Sequence, residues 1–175
     1  KEKKSRINNI DKKKYIYDKC SYNTFLKDLN ISTQRVVVIL SNNYTCLKVI
    51  YNCIVNNHIL YYIDPNYPEY IDRIIEKDKC TVYTSESFYV SNKSTLERLF
   101  LEIIVVDKNN KLINKTSKKI DKHIEKEYSH GYLTLLKQDI IVSYDDIVEQ
   151  SKIIIPRLND KSYTFIYNIM DVDMI

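Results

Sequence analysis

The chain has 175 residues, of which 44% are hydrophobic and 29% charged, which fits one domain with its own core and excludes a wholly disordered protein. No apolar run approaches the roughly 20 residues that span a bilayer. Residues 1–14 are too charged to form the apolar core of a secretion signal. We therefore predict a cytoplasmic protein with no membrane span.

The net charge of +4 at pH 7 is concentrated at the start of the chain. Residues 1–14 hold seven of the 27 basic residues and two of the 23 acidic ones, so 20 bases and 21 acids nearly cancel in the remainder. A nucleic-acid-binding domain needs a basic face on its folded part. We therefore predict no nucleic-acid partner, and we interpret residues 1–14 as a disordered, solvated basic leader and not as a binding arm.

The cysteines and histidines lack the spacing of a metal site. No C-x-x-C pair occurs among the four cysteines, and Cys46 and Cys53 are seven residues apart on one face of a predicted helix. We interpret the thiols as buried and free, and not as metal ligands or disulfides. His123 and His130 have no other candidate ligands nearby and are interpreted as solvated. The four cysteines are Cys20, Cys46, Cys53 and Cys80.

The clearest pattern along the chain is a strand–helix–strand unit. Val36 to Leu40 and Ile59 to Ile63 are short apolar runs of the kind found in strands that are buried on both faces. Residues 41–43 offer side-chain oxygens that can cap the intervening helix, and Asn56-Asn57 can adopt the left-handed conformation that ends it. A crossover of this length joins parallel strands, nearly always with a right-handed turn. The predicted apolar stripe of the helix consists of Leu47, Ile50, Tyr51 and Ile54.

Strands and helices continue to alternate up to Asp107. Asp64 to Pro68 is a tight turn, and Pro68 suits the first position of a helix, where its missing N–H has no partner to lose. Ser94 to Glu97 has the spacing of a capping box, which predicts that a helix starts there. Four strands alternating with helices predict an α/β fold with a mostly parallel sheet and helices on both faces. The strands predicted here are Cys80–Thr84 and Ile103–Val106, and the buried helix residues are Ile71, Ile74, Ile75, Leu96, Leu99 and Phe100.

The remainder of the chain is less regular. Residues 108–130 contain seven lysines and are predicted to be a long surface loop or insertion. A turn at residues 137–139 separates two strands, and a helix from Asp145 follows. The chain stops without a terminal element, so we expect a fragment of a longer protein, with a single α/β domain over residues 15–175. The other predicted features are the strands Tyr15–Tyr17, Tyr132–Leu136, Ile140–Ser143 and Tyr163–Ile169, the helix Asp18–Leu29, and the inward-facing Ile147, Val148, Ser151 and Ile154.

Three segments follow one another in an order that is typical of a known family. Val36 to Asn43 is an apolar strand ending in Leu-Ser-Asn-Asn, Ile63 to Glu69 contains Asp-Pro-Asn-Tyr-Pro, and Arg73 to Asp78 reads Arg-Ile-Ile-Glu-Lys-Asp. These segments resemble the N-terminal part of adenylate-forming enzymes, the AMP-dependent ligases that include acyl-CoA synthetases and peptide-synthetase adenylation domains. The Asp-Pro-x-Tyr-Pro form leans toward the peptide-synthetase and aminoadipate-reductase branch. The likeness covers residues 15–107, is thinner over 132–175, and implies the N-terminal subdomain fold of that family.

The phosphate-binding loop of that family has no counterpart here. In the family, a Ser/Thr/Gly-rich loop ending in Pro-Lys-Gly holds the ATP phosphates with its backbone N–H groups and its lysine. Between the two strands that resemble its flanks, this chain has only four residues, which cannot wrap a triphosphate, and Asp139 would repel phosphate. We interpret Lys137 as an ordinary turn lysine and not as the loop lysine. Asp171 and Asp173, near the place of a substrate-facing aspartate in the family, are interpreted as surface carboxylates.

The resemblance leaves two main functions open. In the first, the chain is the N-terminal scaffold of a larger ligase that uses ATP and Mg to activate a carboxylate and then transfers the acyl group to a thiol. Its partner would be the rest of the parent chain, including a lid domain, and this chain alone would be inactive. In the second, it is a catalytically inactive descendant that binds a protein partner. A third reading is an unrelated doubly wound binding domain. No catalytic, cofactor-binding or metal-binding residue and no cofactor is predicted for this chain itself.

Overall fold

The computed structural model describes residues 29, 31–41, 44–116 and 131–154. The chain divides into two units, residues 1–30 and residues 31–175, and the elements given below belong to the second. No helix among the described residues is long and apolar enough to cross a membrane. Several predictions fall outside the described residues. These concern the leader, the strands Tyr15–Tyr17 and Tyr163–Ile169, the helix Asp18–Leu29 except Leu29 itself, Cys20, His123, His130, Asp171 and Asp173.

The described residues form seven strands and three α-helices, so the α/β prediction is confirmed. Two short 3-10 helices, Pro68–Arg73 and Lys77–Lys79, lie between the second and third strands. The elements are β1 Arg35–Ile39, α1 Tyr44–Val55, β2 Ile59–Tyr62, β3 Cys80–Ser85, α2 Glu86–Leu99, β4 Glu102–Val106, β5 Leu112–Asn114, β6 Tyr132–Leu135, β7 Ile140–Ser143 and α3 Tyr144–Ile154.

The seven strands form one mixed sheet in the order β5-β4-β3-β1-β2-β6-β7. The pairs β1–β2, β1–β3, β3–β4 and β2–β6 are parallel, whereas β5 and β7 pair antiparallel with β4 and β6 at the two edges. Whether two neighbouring strands are parallel or antiparallel depends on the segment that connects them. Helices or longer segments join the parallel neighbours, and only short turns precede the two antiparallel edge strands.

Strand β1 lies at the centre of the sheet and is buried along its whole length. Because successive strand residues point to opposite faces, Val37 and Ile39 enter the core cluster that includes Leu96 of α2. The opposite face carries Tyr62 and Tyr83, which lie near the thiols of Cys46 and Cys53 of α1. The continuous apolar run of β1 therefore reflects a strand with a helix on each side.

The buried side of α1 differs from the predicted stripe. Cys46, Val49, Ile50 and Cys53 are its buried apolar residues, at positions i, i+3, i+4 and i+7. Tyr51, predicted to be buried, is 41% exposed, and the predicted Leu47 and Ile54 are only half-buried. Ile50 is buried as predicted, and the buried side also contains the two thiols that the predicted stripe had left out.

The described cysteines confirm the predicted burial of the thiols, because Cys46, Cys53 and Cys80 are all buried. Burial raises the pKa of the Cys53 thiol far above its usual range and that of Cys80 to about 12. The uncharged thiol is therefore the form present at neutral pH, and it packs as a small apolar group.

The start of α2 was predicted incorrectly. The helix begins at Glu86, where Ser85 is the N-cap and its Oγ accepts a hydrogen bond from the Phe88 N–H at 3.3 Å. The predicted capping box at Ser94 lies inside the helix. A break does occur nearby at Asn92, whose φ of −122° and ψ of 17° are not helical. The capping-box spacing therefore marks the part of the helix that follows this kink.

The segment after Pro68 forms a helix at the predicted place but of a different type. Pro68 is at its N-terminal end as predicted, yet the six residues adopt a 3-10 helix that ends at Arg73, and the next residue, Ile74, has extended backbone. Ile71 and Ile74 are buried, whereas Ile75, predicted to join them, is 58% exposed. The helix ends too early to place Ile75 on the same face.

Two corrections concern the second half of the chain. The predicted Lys-rich loop at 108–130 contains the short strand β5, which follows a turn in which the Asp107 carboxylate accepts hydrogen bonds from the N–H groups of Asn109 and Lys111. Residues 117–130 lie outside the described part. Helix α3 starts at Tyr144, one residue before the prediction, and Val148, predicted to face inward, is 44% exposed. The side chains of residues 151–154 are not described.

The single glycine of the chain allows α3 to pack closely on the sheet. A Cβ atom at Gly131 would lie 2.5 and 2.6 Å from two ring carbons of Tyr144 and 2.7 Å from the backbone carbon of Asn57. Tyr144 is buried, and its hydroxyl has no hydrogen-bond partner within the described part of the chain. The aromatic ring is therefore the part of Tyr144 that matters for packing.

Gly131→Ala is expected to lower the free energy of unfolding by about 1–3 kcal/mol, the usual cost of an overpacked site. Tyr144→Phe is the control, because it keeps the ring and removes a hydroxyl without a hydrogen bond to any described residue, and its effect should be smaller. Urea unfolding of both variants tests the packing. A neutral Gly131→Ala variant would contradict the close approach.

Candidate functional site

The carboxyl ends of parallel strands are where open α/β sheets usually bind ligands. The parallel pairing of Tyr62 with Leu135 brings the ends of β2 and β6 to the same edge. The Asp64–Pro68 turn leaves β2 there, and the tip of the β6–β7 hairpin, Leu136–Asp139, leaves β6 beside it. The two motifs on which the sequence analysis depended, about 70 residues apart in the chain, are therefore neighbours in the fold.

Arg73 links the two segments. Its Nη1 donates a hydrogen bond to the main-chain oxygen of Leu136 at 2.9 Å, and its Nη2 contacts the Asp139 carboxylate at 2.5 Å. Its guanidinium also lies 5.7 Å from the ring centroid of Tyr70. The arginine thereby joins the end of the 3-10 helix to both sides of the hairpin tip.

Lys137 makes a second link, from the hairpin tip back to the Asp64–Pro68 turn. Its Nζ lies 4.1 Å from the ring centroid of Tyr67 and 4.0 Å from Oδ2 of Asp64. The other oxygen of Asp64 accepts hydrogen bonds from the backbone N–H and the side chain of Asn66. We call the six residues that make the two links the clasp. They are Asp64, Tyr67, Arg73, Leu136, Lys137 and Asp139.

The hairpin tip has few donors to offer to a phosphate. The N–H of Leu136 donates to the oxygen of Tyr62 at 3.4 Å, and the N–H of Gln138 donates to the oxygen of Leu135 at 3.2 Å. Asp139 has a φ of 59°, a left-handed conformation that Asp tolerates better than most residues. The prediction of a turn at residues 137–139 is confirmed, and both cations of the clasp are already paired with carboxylates.

A second polar group, at the amino ends of the strands, was not predicted. Arg35 is 2% exposed, forms an ion pair with Glu76, and donates a hydrogen bond to the hydroxyl of Tyr61 at 3.4 Å. Glu76 also contacts Lys79 at 2.6 Å. The hydrogen bond from Lys79 and the charge of Arg35 lower the pKa of the Glu76 carboxyl. The only signal in the sequence is an arginine directly before an apolar strand.

The same end of the sheet contains a chain of hydroxyl contacts. Oγ1 of Thr33 lies 2.8 Å from Oγ1 of Thr81, and Thr81 donates to the Glu102 carboxylate at 2.8 Å. Ser32 and Asn114 also donate to Glu102. These bonds connect the segment before β1 with β3, β4 and β5. The described residues around them include no group of three or more side chains that could hold a metal ion.

Comparison with known proteins gives no relative. No protein-family model, no curated protein and no solved structure matches the chain significantly. The resemblance to adenylate-forming enzymes therefore rests on the residues that carry it, from Val36 to Asp78.

Arg73→Ala is expected to lower the free energy of unfolding by about 1–2 kcal/mol, because it removes two hydrogen bonds from a partly exposed site. Lys137→Ala should change it by only about 0.5 kcal/mol, because the Lys137 side chain is 39% exposed and its contacts are longer than those of Arg73. Urea unfolding of the two variants gives the comparison. A loss above roughly 2 kcal/mol for Lys137→Ala would make the lysine structural.

The Glu76 carboxylate should stabilise the protein in a pH-dependent way. Its pKa is lower in the folded chain than the ordinary value of 4.5, so its contribution is fully present above pH 4.5 and is lost as the pH falls through the lower folded value. We expect the stability difference between the wild type and Glu76→Gln to shrink between pH 6 and pH 3. The exposed, non-titrating control Val90→Ala should show no such trend, and a constant difference for Glu76→Gln would refute the prediction.

Proposed function

We propose that this chain is a non-catalytic scaffold of the adenylate-forming type, which supplies structure and not phosphate-binding or catalytic groups. The observation that supports it best is the clasp. At the edge where a family member would hold ATP, Arg73 binds the hairpin tip through Leu136 and Asp139. The Arg73 donors that a phosphate could use are thus already bonded to the main-chain oxygen of Leu136 and to the Asp139 carboxylate.

The charges around the hairpin tip also disfavour phosphate binding. Arg73 and Lys137 each lie beside a carboxylate, Asp139 and Asp64 respectively. A triphosphate would have to displace these carboxylates or lie next to them, and both alternatives are unfavourable. The hairpin tip has no glycine that would let the backbone wrap an anion. On this basis the chain alone neither binds nor activates a nucleotide.

Two settings for such a scaffold follow from the resemblance. In one, the chain is the N-terminal part of a ligase whose remaining segments hold ATP and Mg, activate the carboxylate and close as a lid. In the other, it is an inactive descendant that binds a protein partner. The second setting is favoured by the well-formed hairpin, in which Leu135 pairs with Ile140 directly across the tip. A connection with regular pairing is a folded element in its own right and does not resemble a disrupted loop.

The chain is expected to bind MgATP negligibly, with a dissociation constant weaker than about 1 mM. Isothermal titration calorimetry on the whole chain tests this, and micromolar affinity would overturn the proposal. Asp139→Asn is the matched variant, because it removes the repelling charge and supplies no cradle of N–H groups. If Asp139→Asn gained micromolar affinity, charge and not loop length would be the barrier.

The ligase and the inactive descendant would be encoded by different messenger RNA sequences. Sequencing the messenger RNA across Leu136 to Ile140 and downstream would distinguish them. A Ser/Thr/Gly-rich insert at the tip together with a lid sequence would support the ligase. The short tip without a lid sequence would support the inactive descendant.

A further inference from the structure

The 3-10 helix Pro68–Arg73 has few contacts of its own to hold it. Ile71 is its one buried residue, and the hydrogen bonds Tyr70 N–H to Tyr67 oxygen and Ile74 N–H to Ile71 oxygen are 3.3 and 3.2 Å long. Helices of this type have poorer hydrogen-bond geometry than α-helices and are stable only in short pieces. Its position therefore depends on contacts to the rest of the fold, namely the burial of Ile71 and the two contacts of Arg73 to the hairpin tip.

The hairpin tip depends on the same contacts. Its hydrogen bonds from Leu136 and Gln138 are 3.4 and 3.2 Å long, and Asp139 adopts a left-handed backbone that costs free energy. The Leu136 side chain, only 5% exposed, belongs to the same core cluster as Ile71 and Ile74. Both segments thus share one patch of core and one arginine.

We propose that the hairpin tip, Leu136–Asp139, and the Asp64–Arg73 segment open and close as one cooperative unit, with Arg73 as the contact they share. The clasp is then a conformational device at the carboxyl end of β2 and β6. Its opening uncovers Leu136 and Ile71, which are 5% and 4% exposed when it is closed. The proposal needs no resemblance to adenylate-forming enzymes, so it stands or fails separately from the function proposed above.

Structural units that open locally are recognised by hydrogen exchange, because all their amides share one opening equilibrium. Removing the two hydrogen bonds of the partly exposed Arg73 should raise that equilibrium constant about tenfold. The amides to follow are those of Tyr70 and Ile74 on one side of the clasp and of Leu136 and Gln138 on the other. The Leu101 amide, bonded to the oxygen of Cys80, reports on the central sheet.

The test is native-state hydrogen exchange by NMR on the whole chain, with wild type and Arg73→Leu compared. We expect exchange to accelerate about tenfold, by a similar factor, at the four amides of Tyr70, Ile74, Leu136 and Gln138. Exchange at Leu101 should stay unchanged. Lys93→Leu is the matched control, because Lys93 is an exposed cation with a long ion pair to Glu97 on α2. This variant should leave the exchange rates of these four amides unchanged.

Asp139→Asn gives a second route if Arg73→Leu fails to fold. It keeps a residue that tolerates the left-handed backbone and removes only the carboxylate that Arg73 contacts. It should accelerate exchange at Tyr70 and Ile74 as well as at Leu136 and Gln138. Acceleration on one side of the clasp alone, or at none of the four amides in the folded variant, would overturn the proposal.

Discussion

The burial of β1 on both faces is the constraint on which the described fold depends. A strand with Val37 on one face and Val38 on the other, both fully buried, is stable only if each face is covered. α1 covers one face, and the other face packs into the core cluster that contains Ile71, Ile74 and the α2 residue Leu96. Crossover connections make the central strands parallel and align their carboxyl ends. The clasp exists because β2 and β6 end together.

The charged residues discussed above lie at the two ends of the central strands, and their burial differs between the two ends. At the amino ends, Arg35 is buried and requires Glu76, because an unpaired charge there would be expensive. At the carboxyl ends, Arg73 and Lys137 remain partly in water and contribute less individually. One end of the sheet therefore has an ion pair whose arginine is buried, and the other end has ion pairs whose cations are partly exposed.

The sequence predicted the parts of the fold in which short-range pattern and burial agree. β1 and β2 were predicted because a strand buried on both faces is apolar at every position. The tip of the β6–β7 hairpin was predicted because its polar residues interrupt two apolar runs. The stripe on α1 was predicted only in part, because it was assembled from the larger hydrophobic residues, of which Ile50 is buried, and the thiols predicted to be buried were left out of it. The start of α2 was missed because a second capping signal at Ser94 lies inside the helix, beyond the kink.

The candidate site was predictable only in pieces. The Asp-Pro-Asn-Tyr-Pro turn and Lys137 were both identified, but their adjacency depends on the pairing of β2 with β6, which joins residues far apart in the chain. Arg73 was read as part of a helix and not as the residue that joins the two segments. Arg35 was missed because local sequence gives no information about a partner 41 positions later.

The chain also shows how a protein can reverse direction with almost no glycine. Left-handed backbone occurs at Asn57, Glu76, Asn110 and Asp139, and the single glycine is not among these positions. Asn and Asp reach this conformation at moderate cost because their short polar side chains can bond the local backbone. A chain with a single glycine can thus still form tight corners, with a small loss of stability at each of them.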